Sequence, residues 1–149
     1  MYIVVMHENE KICALALHGG AGAVAGRDYA VTEKHLREPV TECESWLRKG
    51  TSALDVVEHA VNELETCGLY VAGRGSAPNS AGHMELDASI MDGRSREAGA
   101  VAAIRDVVSP VQVARGVMEK TPHVMLAGSG ALEFAREHGF EEVADPANY

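Results

Sequence analysis

Apolar residues fall along this chain in short blocks with two different periods. Residues 12–17, "ICALAL", are a compact apolar run cut off by "HGGAGAVAG", which predicts a buried strand entering a glycine-rich turn. Residues 28–49 follow a helical period and end at Gly50, with Arg48 and Lys49 suited to a helix C-terminus. Pro39 lacks an N–H and crowds the preceding turn, so a kink or two shorter helices is expected there. Ser52 with Asp55 predicts the capped start of another helix, in which Leu54, Val57, Val61 and Leu64 form an apolar stripe before Gly68 stops it. "ELDASIMDG" and "AGAVAAI" read as strands, and the short turn from Asp92 to Glu97 favours an antiparallel pair. Ser109 and Pro110 open a further helix, with Gln112 placed for a capping box and Val111, Ala114, Val117 and Met118 as its buried face. "HVMLA" predicts another strand, and "SGALEFAREHG" a last helix closed by Gly139. The pattern is mixed α and β, without repeats, low-complexity tracts or a linker.

Composition narrows the classes more than it names one. A chain of 149 residues with 46 % hydrophobic and 23 % charged positions suits one soluble domain with a sizeable core. No apolar run approaches the ~20 residues of a membrane span, and "MYIVVMHENEK" has no basic flank or cleavage pattern, so neither membrane nor signal peptide is expected. The net charge of −9 would repel a polyanion, which argues against nucleic acid as a partner. Cys13, Cys43 and Cys67 are odd in number and form no CxxC pair, which fits a reducing, cytoplasmic setting.

The glycine segment matches three templates. Positions 20–25 fit a dinucleotide fingerprint, but that fold needs a second parallel strand with an acidic end about 20 residues on, and this region reads as a helix, "REPVTECESW". His18-Gly19-Gly20 after a strand also suits the oxyanion loop of a lipase or esterase. The GxSxG elbow that such enzymes need is missing: Ser76 has Arg74 two positions away, Ser95 has Glu97, and Ser129 has Ala127. On the segment alone, a glycine-rich strand-to-loop turn with no chemistry also accounts for the pattern. His83, Glu85 and Asp87, at every second position, would share one face of a strand and could ligate iron or zinc. Without a second nearby His, a solvent-facing strand edge is the better account. No Ser, Thr or Cys has the local signature of a nucleophile, the cysteines lying in surroundings typical of inert thiols.

Taken together and in order, "LALHGGAGAV", "SALDVVEHAVNELE" followed by Cys67, "AGRGSAPN", "MELDASIMDG", "AGAVAAI" and "SPVQVARGVMEKTPHVMLAGSGALEFA" resemble the N-terminal half of the plant-type L-asparaginase / isoaspartyl peptidase family of Ntn-hydrolases. The likeness runs from about Cys13 to about Asp145. It implies the α subunit of a precursor that cuts itself before a threonine, the freed Thr of the β chain being the nucleophile. No catalytic residue is then expected in this chain, and "EVADPANY" would lead into the linker ahead of the cut. The implied fold is α/β (α+β): residues 1–149 as a single α-subunit domain, half of a four-layer αββα sandwich completed by the β chain. The implied assembly is an (αβ)2 heterotetramer that hydrolyses small amides, L-asparagine and β-aspartyl dipeptides.

The likeness also distributes roles. His18, Gly19 and Gly20 match the loop beside the scissile bond whose conformation is linked to self-cleavage. Main-chain carbonyls of Leu64, Glu65, Cys67, Tyr70, Ala72 and Arg74 match a structural Na⁺ site, and no organic cofactor is implied. Val71 stands where most of the family has an Asn close to the catalytic amine, and valine makes no hydrogen bond there. Asn79, later in the same loop, is the candidate substitute. Two rivals remain: a glycosylasparaginase-type amidase of the same superfamily, and a non-catalytic relative serving as a cation-binding or assembly module.

Overall fold

The computed structural model describes residues 1–8, 11–22 and 24–145. It divides into two compact units, Met1–Glu63 and Leu64–Tyr149. The residues beyond Asp145, which were expected to lead into a linker, lie outside the described ones.

The first unit pairs two antiparallel strands, β1 (Tyr2–Glu8) and β2 (Lys11–Leu17), with helix α1 (Ala30–Arg48) packed on them. Strand β2 is the predicted apolar run; β1 went unrecognised. Leu15 and Leu17 enter the core, while Ile3 and Val5 stay more than half exposed opposite Ala16 and Ala14. Helix α1 does not divide into two: it continues through Pro39, whose ring is buried. Pro39 forfeits only the one backbone bond that its N–H would have made. Nineteen residues with Leu36, Val40 and Cys43 buried on one side outweigh that single loss.

Helix α2 (Ala53–Thr66) begins as expected. The Ser52 hydroxyl accepts the N–H of Asp55 at 3.2 Å and donates to the Asp55 carboxylate at 2.6 Å. Its buried stripe is the expected one only at Leu64, however. Val56, Ala60 and Leu64 are buried whereas Val57 is exposed and Leu54 and Val61 are only partly covered. Two apolar rows share this helix, and periodicity alone does not say which one faces the core. In the first unit, α2 meets α1 through the stacked rings of Trp46 and His59, centroids 4.3 Å apart, and a 3.2 Å contact from His59 to Glu42.

The second unit holds a three-stranded sheet in the order β3 (Leu86–Met91), β4 (Ala98–Ile104), β5 (Met125–Ala127). β3 and β4 are antiparallel, as their short connection required; β4 and β5 are parallel. Asp92 shapes the β3–β4 turn by accepting the N–H of Arg94 at 2.9 Å and the Ser95 hydroxyl at 3.2 Å, contacts that pull its carboxyl below the ordinary range. Helix α3 (Pro110–Lys120) covers β3 and β4 through Val111, Val113, Ala114 and Val117. Helix α4 (Gly128–Glu137) packs on β4 and β5 with Ala131, Phe134 and Ala135 buried. Alternation along β3 buries Leu86 and Ile90 and leaves Asp87, Ser89 and Met91 on the uncovered face. The fold is α+β, and no described helix is long and apolar enough to cross a membrane.

Candidate functional site

Two glycine-rich segments carry the candidate residues, one in each unit. In the first, residues 18–22 leave β2 without regular structure and residues 24–29 lead into α1. The N–H of Gly20 donates to Nδ1 of His18 at 3.1 Å, closing a tight local ring at the end of the strand. Gly20 has φ +106°, a conformation that glycine alone adopts without strain. His18 and Gly20 are exposed and Gly19 is partly covered. Further on, the Tyr29 hydroxyl accepts the N–H of Val24 at 2.7 Å, and Asp28 accepts that of Ala30 at 2.9 Å, so the loop re-enters α1 under side-chain control.

The second segment is wound, not open. After α2 ends, Gly68 turns with φ +74° and the chain coils into a single 3₁₀ turn, Gly73–Gly75. A Cβ on Gly73 would overlap the Glu65 carbonyl and its Cβ, and one on Gly75 would overlap the Tyr70 carbonyl. These two glycines are therefore there for clearance: backbone presses on backbone. Of the six positions expected to offer carbonyls to Na⁺, Leu64, Glu65 and Tyr70 are buried, Cys67 and Ala72 partly covered, and Arg74 exposed. The Leu64 carbonyl accepts the Cys67 thiol at 3.5 Å, and the Ala72 carbonyl accepts the N–H of Gly75 at 3.0 Å. An all-oxygen main-chain set of this kind suits a hard cation of low charge, and the coil brings the Glu65 and Tyr70 carbonyls against Gly73 and Gly75. Burial, and secondarily the nearby Cys67 thiol, pushes the Tyr70 hydroxyl up to about 12.

Val71 projects from this coil, 83 % exposed. Asn79 is engaged within its own loop, where its Oδ1 accepts the N–H groups of Ala81 at 2.9 Å and His83 at 3.0 Å and so builds the turn that follows. The array of His83, Glu85 and Asp87 does not form on one strand, because β3 starts at Leu86 and only Asp87 belongs to it. Asp87 instead accepts the N–H of Ala103 at 2.7 Å, where β4 bends through φ +50°. Among the described residues no three His, Cys, Asp or Glu side chains gather as a metal cluster. Cys43 is fully buried; burial first, then the charges of Glu42 and Glu63, push its thiol up, which suppresses the thiolate.

The feature that sequence patterning missed is a buried carboxylate. The capping box expected at Ser109 and Gln112 is not made; no side chain caps α3 locally. The Ser109 hydroxyl donates to Oε2 of Glu65 at 2.7 Å, and the N–H of Val111 donates to Oε1 at 3.1 Å. Glu65 thus caps the helix from 44 residues away. No local signal exists for such a pairing, since Ser-Pro-Val-Gln reads as a self-sufficient helix start.

Comparison with known proteins accounts for these landmarks together. A sequence model of the family described as Asparaginase matches residues 11–148. The chain belongs to the asparaginase family. It is 46 % identical over 134 residues to a probable isoaspartyl peptidase/L-asparaginase 2 of Arabidopsis thaliana, covering 87 % of this chain and 41 % of that protein. A plant-type L-asparaginase of Pyrococcus abyssi is 47 % identical over 130 residues, covering 87 % of this chain and 42 % of the archaeal protein. An isoaspartyl peptidase of Salmonella typhimurium is 44 % identical over 146 residues, covering 91 % of this chain and 46 % of the bacterial one. The chain therefore spans less than half the length of these relatives, aligning with one segment of each. In this asparaginase-family chain the open and the wound glycine segments both fall inside the matched region.

Proposed function

We propose that this chain is the α subunit of an autoproteolytically matured amidohydrolase acting on L-asparagine and β-aspartyl dipeptides. The observation that carries the reading is 44–47 % identity, over nearly the whole chain, to proteins named asparaginase and isoaspartyl peptidase. The nucleophile is the N-terminal Thr of a β chain from the same precursor. Its hydroxyl attacks the side-chain amide or isopeptide carbonyl, its own α-amine takes the hydroxyl proton and passes it to the departing ammonia or amino acid. Water then cleaves the resulting β-aspartyl ester and regenerates the hydroxyl.

Within this scheme the loop of His18, Gly19 and Gly20 lies beside the scissile bond, and the open space around Gly20 leaves room for the backbone to adjust during self-cleavage. The carbonyls of Leu64, Glu65, Cys67, Tyr70, Ala72 and Arg74 hold a Na⁺ whose role is structural. Val71 and Asn79 belong to the loop near the active site. Residues 1–149 form one α-subunit domain, half of an αββα sandwich within an (αβ)2 heterotetramer. An apolar uncovered strand face supports this: Ile3, Val5, Ala14 and Ala16 in the first unit, while the uncovered face in the second mixes Met91 and Met125 with Asp87 and Ser89.

The test is intact mass and activity of the protein purified from its complete gene. Expected are two chains, one containing this sequence and one beginning with Thr, releasing ammonia from L-asparagine and aspartate from a β-aspartyl dipeptide. A single uncut polypeptide that hydrolyses either substrate at full rate overturns the reading.

A further inference from the structure

Among the described residues, Glu65 and Ser109 are the two buried polar side chains, 3 % and 5 % exposed, and they bond to each other. Burying a carboxylate is costly unless its oxygens are satisfied. Here a hydroxyl and the Val111 N–H satisfy it, and the positive end of α3 adds a favourable field. A cheaper solution was present in the sequence, because Ser109 could have capped its own helix. The long-range bond replaces it. At the other end of the same residue, the Glu65 carbonyl and Cβ occupy the space where Gly73 would carry a side chain. One residue thus touches the N-terminus of α3 with its carboxylate and the 3₁₀ turn with its backbone.

We propose that Glu65 is a positioning residue: its carboxylate, clamped on α3, holds the wound segment 69–76 in shape. The backbone of that segment keeps its course because residue 65, against which Gly73 packs, cannot shift without leaving Ser109 and Val111. One consequence rests on the sodium site proposed above: cation affinity then depends on a hydroxyl, that of Ser109, which is no ligand of the ion.

The experiment perturbs the clamp at its far end and reads the loop. Hydrogen exchange is followed in the complete protein for the native sequence, Ser109→Ala and Glu65→Asp, the last shortening the reach while keeping the charge. Amides of residues 69–76 should exchange roughly tenfold faster in both variants, the loss of a bond to a charged group appearing as local opening. Melting is also recorded against NaCl with choline chloride as the control, and the sodium midpoint should rise several-fold in both variants. Faster exchange confined to the first turn of α3, or an unshifted midpoint in a protein that does respond to sodium, overturns the proposal. A native protein whose melting ignores sodium removes the cation reading alone, and exchange in 69–76 then decides the role of Glu65.

Discussion

Two glycine-rich segments of similar composition use their glycines for opposite reasons. In the 18–29 loop a Cβ at Gly20, Gly22 or Gly26 would meet no other atom within 4 Å. In the 68–76 coil, a Cβ at Gly73 or Gly75 would land on a backbone carbonyl. The first loop is held by local bonds from His18, Asp28 and Tyr29; the second is anchored by α2 and, through Glu65, by a helix far along the chain. Glycine content therefore marks both positions with open space around them and positions with none. Only the neighbours distinguish them.

The comparison breaks most visibly by adding one methyl group. Gly75→Ala forces the coil apart at the Tyr70 carbonyl and should destabilise by about 3 kcal/mol or more, or prevent soluble expression. Gly22→Ala, with open space around it, should stay within about 0.5 kcal/mol of the native protein. Thermal melts of the two variants measure this, and equal destabilisation would erase the distinction.

Alkaline pH probes the wound segment through Tyr70. Its hydroxyl titrates near 12 in the folded state and at about 10 when unfolded. Between those values the unfolded chain has lost a proton that the folded one retains, so stability falls as pH rises, and by pH 12 the loss is roughly 2–3 kcal/mol. Tyr70→Phe should remove that part of the alkaline slope; an unchanged slope would mean the hydroxyl is not protected by the coil.

The open loop answers to backbone conformation more than to space. Gly20→Ala must hold φ +106° and should cost about 1–2 kcal/mol without any steric contact. In the proposed precursor, Gly19→Ala should accumulate uncut chain on a gel, because the loop then loses the freedom that self-cleavage uses. Normal maturation of that variant would detach this loop from processing.

The smallest effects separate structure from specificity on one loop. Asn79→Ala removes the acceptor of two N–H groups and should cost about 1 kcal/mol. Val71→Asn, at a site 83 % exposed, should leave the melt unchanged while altering the ratio of asparagine to β-aspartyl dipeptide turnover. No kinetic change from Val71→Asn would place this position away from the chemistry.

Much of the fold was legible before any coordinates, because its signals are local. The Ser52–Asp55 cap, the stop at Gly68, the β3–β4 turn at Asp92 and the start of α3 at Pro110 each depend on bonds or dihedral limits within a few residues. The family, too, was legible, since its blocks lie in order along the chain and match over residues 11–148. What misled were the choices with two local solutions. Helix α2 could face the core with Leu54–Val57–Val61–Leu64 or with Val56–Ala60–Leu64, two rows that share Leu64, and Pro39 could divide α1 or be carried inside it.

Local chemistry, then, determined where the capped helices and the β3–β4 turn lie and to which family the chain belongs. Tertiary structure alone decided which row of α2 is buried, that His83 and Glu85 stand apart from the strand bearing Asp87, and that Glu65 caps α3 in place of Ser109. Those outcomes turn on energies that exist only when distant segments meet. A carboxylate gains its two donors, and a glycine its reason, once the backbone that crowds them has arrived.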